Sequence, residues 1–294
     1  MTKLIDKNWL DTHDWMLRSS NNGISYNGYK WKRKFVWNKC ADWDNIPHCG
    51  NGFHGNSPIA YGYGFDYSRL ELHETKGERI TIEGDKIKVQ FSRAVAYNSE
   101  IPEEAFLRCG IDIAHDGDTI TPKSGELWII KGTVNIINQA GGTCKAYGNA
   151  VINSKNQAGG TCWAFNNAVI NSQNQTGGFY LAFDKSVINS QNQDGGSCWA
   201  YGNAVINSIN QSGGCCSAND NSVINSQNQS GGEYRAHGKS LINAKNQAGG
   251  ICDAYGNAVI NSKNQSDGYC RVYDSSIINS ENKTGEYSLR EIRH

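Results

Sequence analysis

The dipeptide Asn-Gln recurs at Asn138, Asn156, Asn174, Asn192, Asn210, Asn228, Asn246 and Asn264, always 18 residues apart, and Asn282-Lys283 continues the series. A fixed period of this kind marks a stacked-repeat architecture. In the same frame Ile152, Ile170, Ile188, Ile206, Ile224, Ile242, Ile260 and Ile278 hold one position without exception, each followed by Asn. Ala or Ser stands two residues before every one of them. The small-x-Ile-x-Ser alternation has period 2, which predicts a strand with those side chains on one face. A second short strand is expected through Cys144-Lys145-Ala146 and its equivalents, with Gly141-Gly142 and Gly148-Asn149 as the breaks. No proline follows Pro122, so no ladder hydrogen bond is forfeited inside a coil. One such coil cannot shelter its apolar row, whereas stacking coils ~4.8 Å apart seals that row and satisfies the backbone. The predicted architecture is therefore mainly β: a single-chain β-solenoid of 18-residue coils, about eight or nine rungs and on the order of 40 Å long.

Composition divides the chain. All four prolines and six of the eight tryptophans precede Gly132. Two domains are expected: residues 1–125 as a small α+β domain, and 126–294 as the solenoid, with 126–132 a linking coil and 282–294 a C-terminal cap where the pattern gives way to charge. In the first domain the segments Tyr29 to Trp37, Arg69 to Glu74, Glu78 to Glu83 and Lys86 to Tyr97 read as strands, with a hairpin turn at Gly84-Asp85. Pro102 to Arg108 suits a short helix.

From Gly132 onward there are 11 Lys and Arg against 10 Asp and Glu, leaving 17 against 18 upstream. Neither half carries a strong field, so no nucleic-acid partner is expected, although a local patch fits this balance. No run approaches the ~18 apolar residues of a membrane span, and Met1 to Trp15 lacks the apolar core of a signal peptide. A soluble cytoplasmic protein is expected, or a virion-associated one if phage-encoded. Six of the ten cysteines recur at one repeat position, which is how a repeat uses Cys as a small apolar filler; reduced thiols are the default. At that position the order Cys144, Cys162, Tyr180 is repeated as Cys198, Cys216, Tyr234, so a 54-residue unit of three coils lies above the 18.

The coil length of three hexads resembles the left-handed hexapeptide β-helix, with Ala150, Asn156 and Cys162, and Ile152, Ala158 and Ala164, as candidate inward rows. The Asn-Gln-x-Gly-Gly hexad departs from that family by lacking its aliphatic residue, and a flattened two-sheet solenoid is the competing geometry. Tyr147, Phe165, Phe183, Tyr201, Tyr255 and Tyr273 form an expected aromatic surface ladder, interrupted at Asn219 and His237. Such a ladder closes the edge of the stack, or offers a flat array to something periodic: another fibre, a glycan or ice. Asn149-Ala150-Val151 and its equivalents resemble the repeat of ryegrass-type ice-binding proteins, without the Thr-x-Thr rows of many ice binders.

The densest chemistry of the first domain is Ala41 to Gly55. Cys49-Gly50-Asn51-Gly52-Phe53-His54-Gly55, followed by Pro58-Ile59-Ala60-Tyr61, resembles a family of bacterial and phage N-terminal domains of uncharacterised function, over about residues 25–105. That resemblance implies no established activity; such domains often precede repeat regions. More distantly, the Gly-x-His-Gly turn looks like the NAD-cradling turns of ADP-ribosyltransferases. That resemblance implies that His54 and Tyr61 or Tyr63 hold the nicotinamide ribose, with Glu100, Glu103 or Glu104 orienting the attacking hydroxyl. Cys40, His48, Cys49 and His54 are weak candidate metal ligands, since their spacing matches no recognised zinc pattern.

The leading expectation is a non-enzymatic structural or interaction protein without cofactor or resident metal: a rigid rod with a capping or recognition head, acting by self-association or protein binding. A transferase domain carried on a solenoid spacer is the alternative, and an ice- or glycan-binding array a lesser one.

Overall fold

The structure, a computed structural model, describes residues 5–21, 23–24, 29–46, 52–58, 68–82, 86–265, 269–280 and 290–292. The chain divides into two compact units between Ile113 and Ala114.

The first unit is built on an antiparallel sheet of β1 (Trp15–Ser20), β2 (Asn38–Lys39), β3 (Phe53–Gly55), β4 (Arg69–Ile82) and β5 (Lys86–Tyr97), in the order β1-β4-β5-β2 with β3 also on β5. Helix α1 (Lys7–Thr12) is capped by Asp6, whose carboxylate accepts from Trp9 N at 2.9 Å, and α2 (Glu103–Arg108) carries Glu103 and Glu104 in its first turn, as the macrodipole favours. The strands expected at Arg69 and Glu78 are one continuous β4, bent by irregularities at Leu72/His73 and Lys76/Arg79. The strand expected over Tyr29 to Trp37 does not form. Asn38 explains why: its Oδ1 accepts from Tyr29 Oη and Lys32 N, both at 3.2 Å, which holds the segment as a turn beside β2. Gly84 and Asp85 lie outside the described residues.

The second unit is the solenoid. Each coil supplies one short strand, such as Thr143–Ala146, and one long strand, such as Val151–Gln157. The short strands join one parallel sheet of eleven and the long strands another of ten, like residue on like residue: Cys144 on Cys162, Ile152 on Ile170, Asn153 on Asn171. The sheets begin with Asp112–Ala114 and Thr119–Ile120, upstream of the 125/126 boundary that composition suggests. These early rungs lack the repeat's residues, yet Ala114 and Ile120 enter the same buried core, and the backbone pairing that aligns them carries no sequence signature. At the other end Arg290–Ile292 pairs with Arg271–Tyr273 as a last short strand; 281–289 and the two terminal residues lie outside the described residues.

The core is the column Ile152 to Ile260, every member without exposed surface, with Ile278 half-buried on the last rung. Facing it are Cys144, Cys162, Cys198, Cys216 and Cys252, all buried free thiols, and the alanines two residues on. Tyr180 and Tyr234 fill the Cys column at every third rung and are fully buried; Tyr180 Oη donates to Ser172 Oγ at 2.8 Å.

Two of the hexad-based inward positions are corrected. Asn156 and Ala158 face outward, and Ser154 and Gln157 face inward in their place. The cause is a break in alternation at residue 155: the pairing of Val151–Gln157 with the next rung skips Lys155, so two successive residues point out and the strand bends. Buried Gln157 then donates from its amide nitrogen to Gly160 O at 3.4 Å, as Gln139 does to Gly141 O at 3.2 Å. The solenoid is thus two-sheeted with a bent second sheet.

Candidate functional site

The bend at residue 155 creates the most site-like feature of the solenoid. Outward Asn153 and Lys155, and their equivalents on each rung, flank a groove whose floor is the backbone between them. It comprises two stretches of about 790 and 800 Å³ that share Asn207 and Ile209, and so runs as one channel from Asn135 to Asn279. One wall is an asparagine ladder. Each Nδ2 donates to Oδ1 of the preceding rung: Asn171 to Asn153 at 3.0 Å, Asn189 to Asn171 at 2.9 Å, and so on to Asn279 on Asn261 at 3.0 Å. A carboxamide has two N–H groups and two oxygen lone pairs, so the ladder leaves one of each per rung for a partner. The other wall is Lys155, Gln173, Gln191, Ile209, Gln227 and Lys245. No carboxylate lines the channel among the described residues.

The aromatic ladder is stacked ring on ring. Tyr147, Phe165, Phe183 and Tyr201 lie 4.9, 5.0 and 5.1 Å apart, within 12° of parallel. His237 continues the column, 4.5 Å from Tyr255, which lies 4.4 Å from Tyr273; the break is therefore at Asn219 alone. These rings cover one another's faces within each run, and Phe165 is buried, so the ladder closes an edge and presents mainly ring edges.

In the first unit His54 and Glu100, two of the residues implied by the transferase resemblance, lie far apart. His54 pairs opposite Lys88 near the start of β5, while Glu100 follows Tyr97 at its other end, roughly nine residues or ~30 Å of strand away. Glu100 accepts from Lys34 and from Tyr97 N, and Glu104 accepts from Arg108 Nε at 2.9 Å; Glu103 opens α2. Tyr61 and Tyr63 lie outside the described residues, as do His48 and Cys49. Of the metal candidates that leaves Cys40 and His54. Cys40 packs with Met16, Phe53, Ile87 and Val89, and burial, reinforced by its 2.9 Å bond to Asp42 Oδ1, pushes its thiol up to about 11. Such a thiol stays protonated and binds metal poorly.

One constellation escapes sequence reasoning. Glu71, His73 and Ser92 have no exposed surface. His73 Nε2 lies 2.9 Å from Glu71 Oε2 and Nδ1 lies 2.7 Å from Ser92 Oγ. Burial holds His73 down to about 4 despite its bond to Glu71, so the imidazole is neutral, giving Nε2–H to the carboxylate and accepting from the serine. Burial alone would raise Glu71; the bond from His73, the Arg18 charge and Ser20 outweigh it and hold the carboxyl near 2. Arg69 adds a 2.5 Å ion pair. The order Ser–His–Glu is that of a nucleophile relay, but a relay with no exposed atom meets no substrate, and here it is a polar core. The alternating Leu70-Glu71-Leu72-His73 gave the only sequence signal, and it reads as a surface strand.

Among the described residues no helix is long and apolar enough to cross a membrane. Comparison of the chain with protein families, with curated proteins and with solved structures finds no match, so the family resemblances of the first domain gain no support.

Proposed function

We propose that the chain is a non-enzymatic interaction protein whose solenoid receives an elongated, internally repeating protein partner along the amide-lined groove, a second copy of the same solenoid first among them. The observation that carries this reading is the continuity of the groove over nine rungs with one identical amide per rung. Any other β-stack repeats at the same ~4.8 Å, so a partner in register with one rung is in register with all of them. An extended peptide lying along the channel repeats at ~3.3 Å per residue and falls out of that match. The exposed turn column at Asn149, Asn167, Asn203 and Asn257 is a convex counterpart on the solenoid itself. Insertion of a turn column into a groove is a head-to-tail contact, which leads to open filaments or rings rather than closed two-fold dimers.

Sedimentation velocity across a concentration series tests this. Growth of the particle with concentration is expected, and Q173K/Q191K, which crowds like charge beside Lys155 in the groove, should return it to monomers at low salt. A wild-type chain that stays monomeric at every concentration, or a variant that associates as before, would remove self-association through the groove.

A further inference from the structure

The formal charge of the chain is zero, yet one face of the first unit gathers cations around aromatic rings. Across β2, β5 and β4, Lys39 pairs opposite Phe91 and Phe91 opposite Lys76, which sets the three side chains in one row. Two residues along, Trp37 leads into β2 and Arg93 stands opposite Glu74, which makes the second row. Between these positions Asn38, Ser92 and Thr75 turn inward and are buried, so the Lys39 and Trp37 rows form the outer face. Lys76 Nζ lies 4.1 Å from the Trp37 ring centre and Arg93 4.7 Å from it, while Lys39 and Lys76 flank Phe91 at 5.9 and 5.6 Å.

A turn over Arg33 to Val36 adds to this face. Asn38 ties it down, and Lys32 Nζ reaches Trp37 O at 3.2 Å. The turn presents Lys32 and Arg33 to solvent, and between them and the sheet stands Phe35, 43 % exposed with φ of 63°. A bulky residue in the left-handed region is strained; the bond from Phe35 N to Ala94 O at 2.8 Å holds the backbone there and leaves the ring partly in solvent. Among the described residues carboxylates neutralise only part of the charge: Glu74 holds Arg93 and Glu100 holds Lys34, while Lys32, Arg33, Lys39 and Lys76 form no ion pair there.

We propose that this face binds single-stranded nucleic acid, phosphates lying on Lys39, Lys76, Lys32 and Arg33 and a base stacking on Phe35. Charge complementarity requires a polyanion, and the flat sheet with a projecting ring suits unpaired bases rather than a duplex groove. A face that merely solvates its charge has no use for a strained, partly exposed phenylalanine in the turn beside it.

The test is fluorescence anisotropy of a labelled oligothymidylate with the full chain over a salt series. Binding at low salt should weaken with a linear log–log slope, and K39Q/K76Q should reduce that slope by about 1.4, at ~0.7 for each phosphate that the variant no longer neutralises. F35G relieves the backbone strain and removes the ring, so it should weaken binding about fivefold or more while leaving the slope unchanged. Absence of binding at low salt would overturn the proposal. So would tighter capture of a sulfated glycan than of the oligonucleotide together with an indifferent F35G, which would mark the face as a site for acidic polysaccharide.

Discussion

His73 is one source of acid sensitivity in the first unit. Unfolded, its imidazole takes a proton near pH 6.5; folded, burial delays this to about pH 4. Between those values the unfolded chain holds more protons, so stability is full above pH 6.5 and declines as pH falls, by on the order of 3 kcal/mol at the bottom of the window. Glu71, held near 2 against an ordinary 4.5, extends the decline below that. Trp31 packs edge-on against His73 at 4.8 Å and supplies the probe. Denaturant titrations followed by tryptophan fluorescence should show a steep pH dependence in the wild type and a flat one between pH 6.5 and 4 in His73→Gln; equal slopes would show that the histidine titrates normally. None of this was legible beforehand, because burial of a Glu-x-His pair depends on which strands flank it. Glycine in the repeat was legible in kind, and the structure supplies the reason. The turn position Gly148 is left-handed at φ 67° with open space around it, and other coils place Asn166, Asp184, Asp220 or Asp274 there, the side chains that tolerate that region. The second glycine of each Gly-Gly pair admits no substitute: a Cβ on Gly160 would lie 2.5 Å from Gly141 O, and on Gly178 2.6 Å from Gly160 O.

The element that distinguishes this solenoid from a plain stack of strands is the long strand with its bend. Asparagines before the bend do more than cover an edge, since each one is both donor and acceptor. Asn189 donates to Asn171 at 2.9 Å and accepts from Asn207 at 2.9 Å, whereas Asn279 on the last described long strand donates to Asn261 at 3.0 Å. Asn189→Ala therefore removes two bonds and Asn279→Ala one, so the costs should stand near two to one, about 1–3 against 0.5–1.5 kcal/mol. Guanidinium melts of the two variants compare them; equal costs would mean that the ladder contributes nothing as a ladder. The existence of the strands was read from period-2 alternation, and the Ile column is where that alternation placed it. The bend was missed because Lys155-Asn156 looks like any polar pair, and a register skip is visible only once a neighbouring strand is paired. The same blindness turned Tyr29 to Trp37 into an expected strand: its alternation is real, but the buried Asn38 amide outcompetes a strand partner for its backbone.

For the solenoid unit as a whole, each rung touches mainly its two neighbours, so stability is a sum of similar terms and length is adjustable. The longer rhythm limits that freedom. Tyr180 and Tyr234 fill the core at every third rung, and the buried phenol of Tyr180 is pushed upward by its apolar setting while bonded to Ser172. Excising residues 169–222 removes three coils, joins Ala168 to Val223 in place of Val169, and seats Tyr234 above Cys162 as Tyr180 sat before. That shortened chain should fold cooperatively with an unchanged β-type circular dichroism spectrum and a lower midpoint. Excising 169–186 alone keeps the frame but brings four Cys rungs together without a tyrosine among them, and the void left by the missing ring should cost about 3–5 kcal/mol. Excising 169–195, one coil and a half, sets Cys198 over Asn153 and Ile206 over Thr161, so inward residues meet outward columns, and should leave no folded solenoid. The ranking of the three deletions carries the test: if the single-coil deletion is as stable per rung as the triple, the tyrosines are passengers and 18 residues, not 54, is the unit that this core is built from.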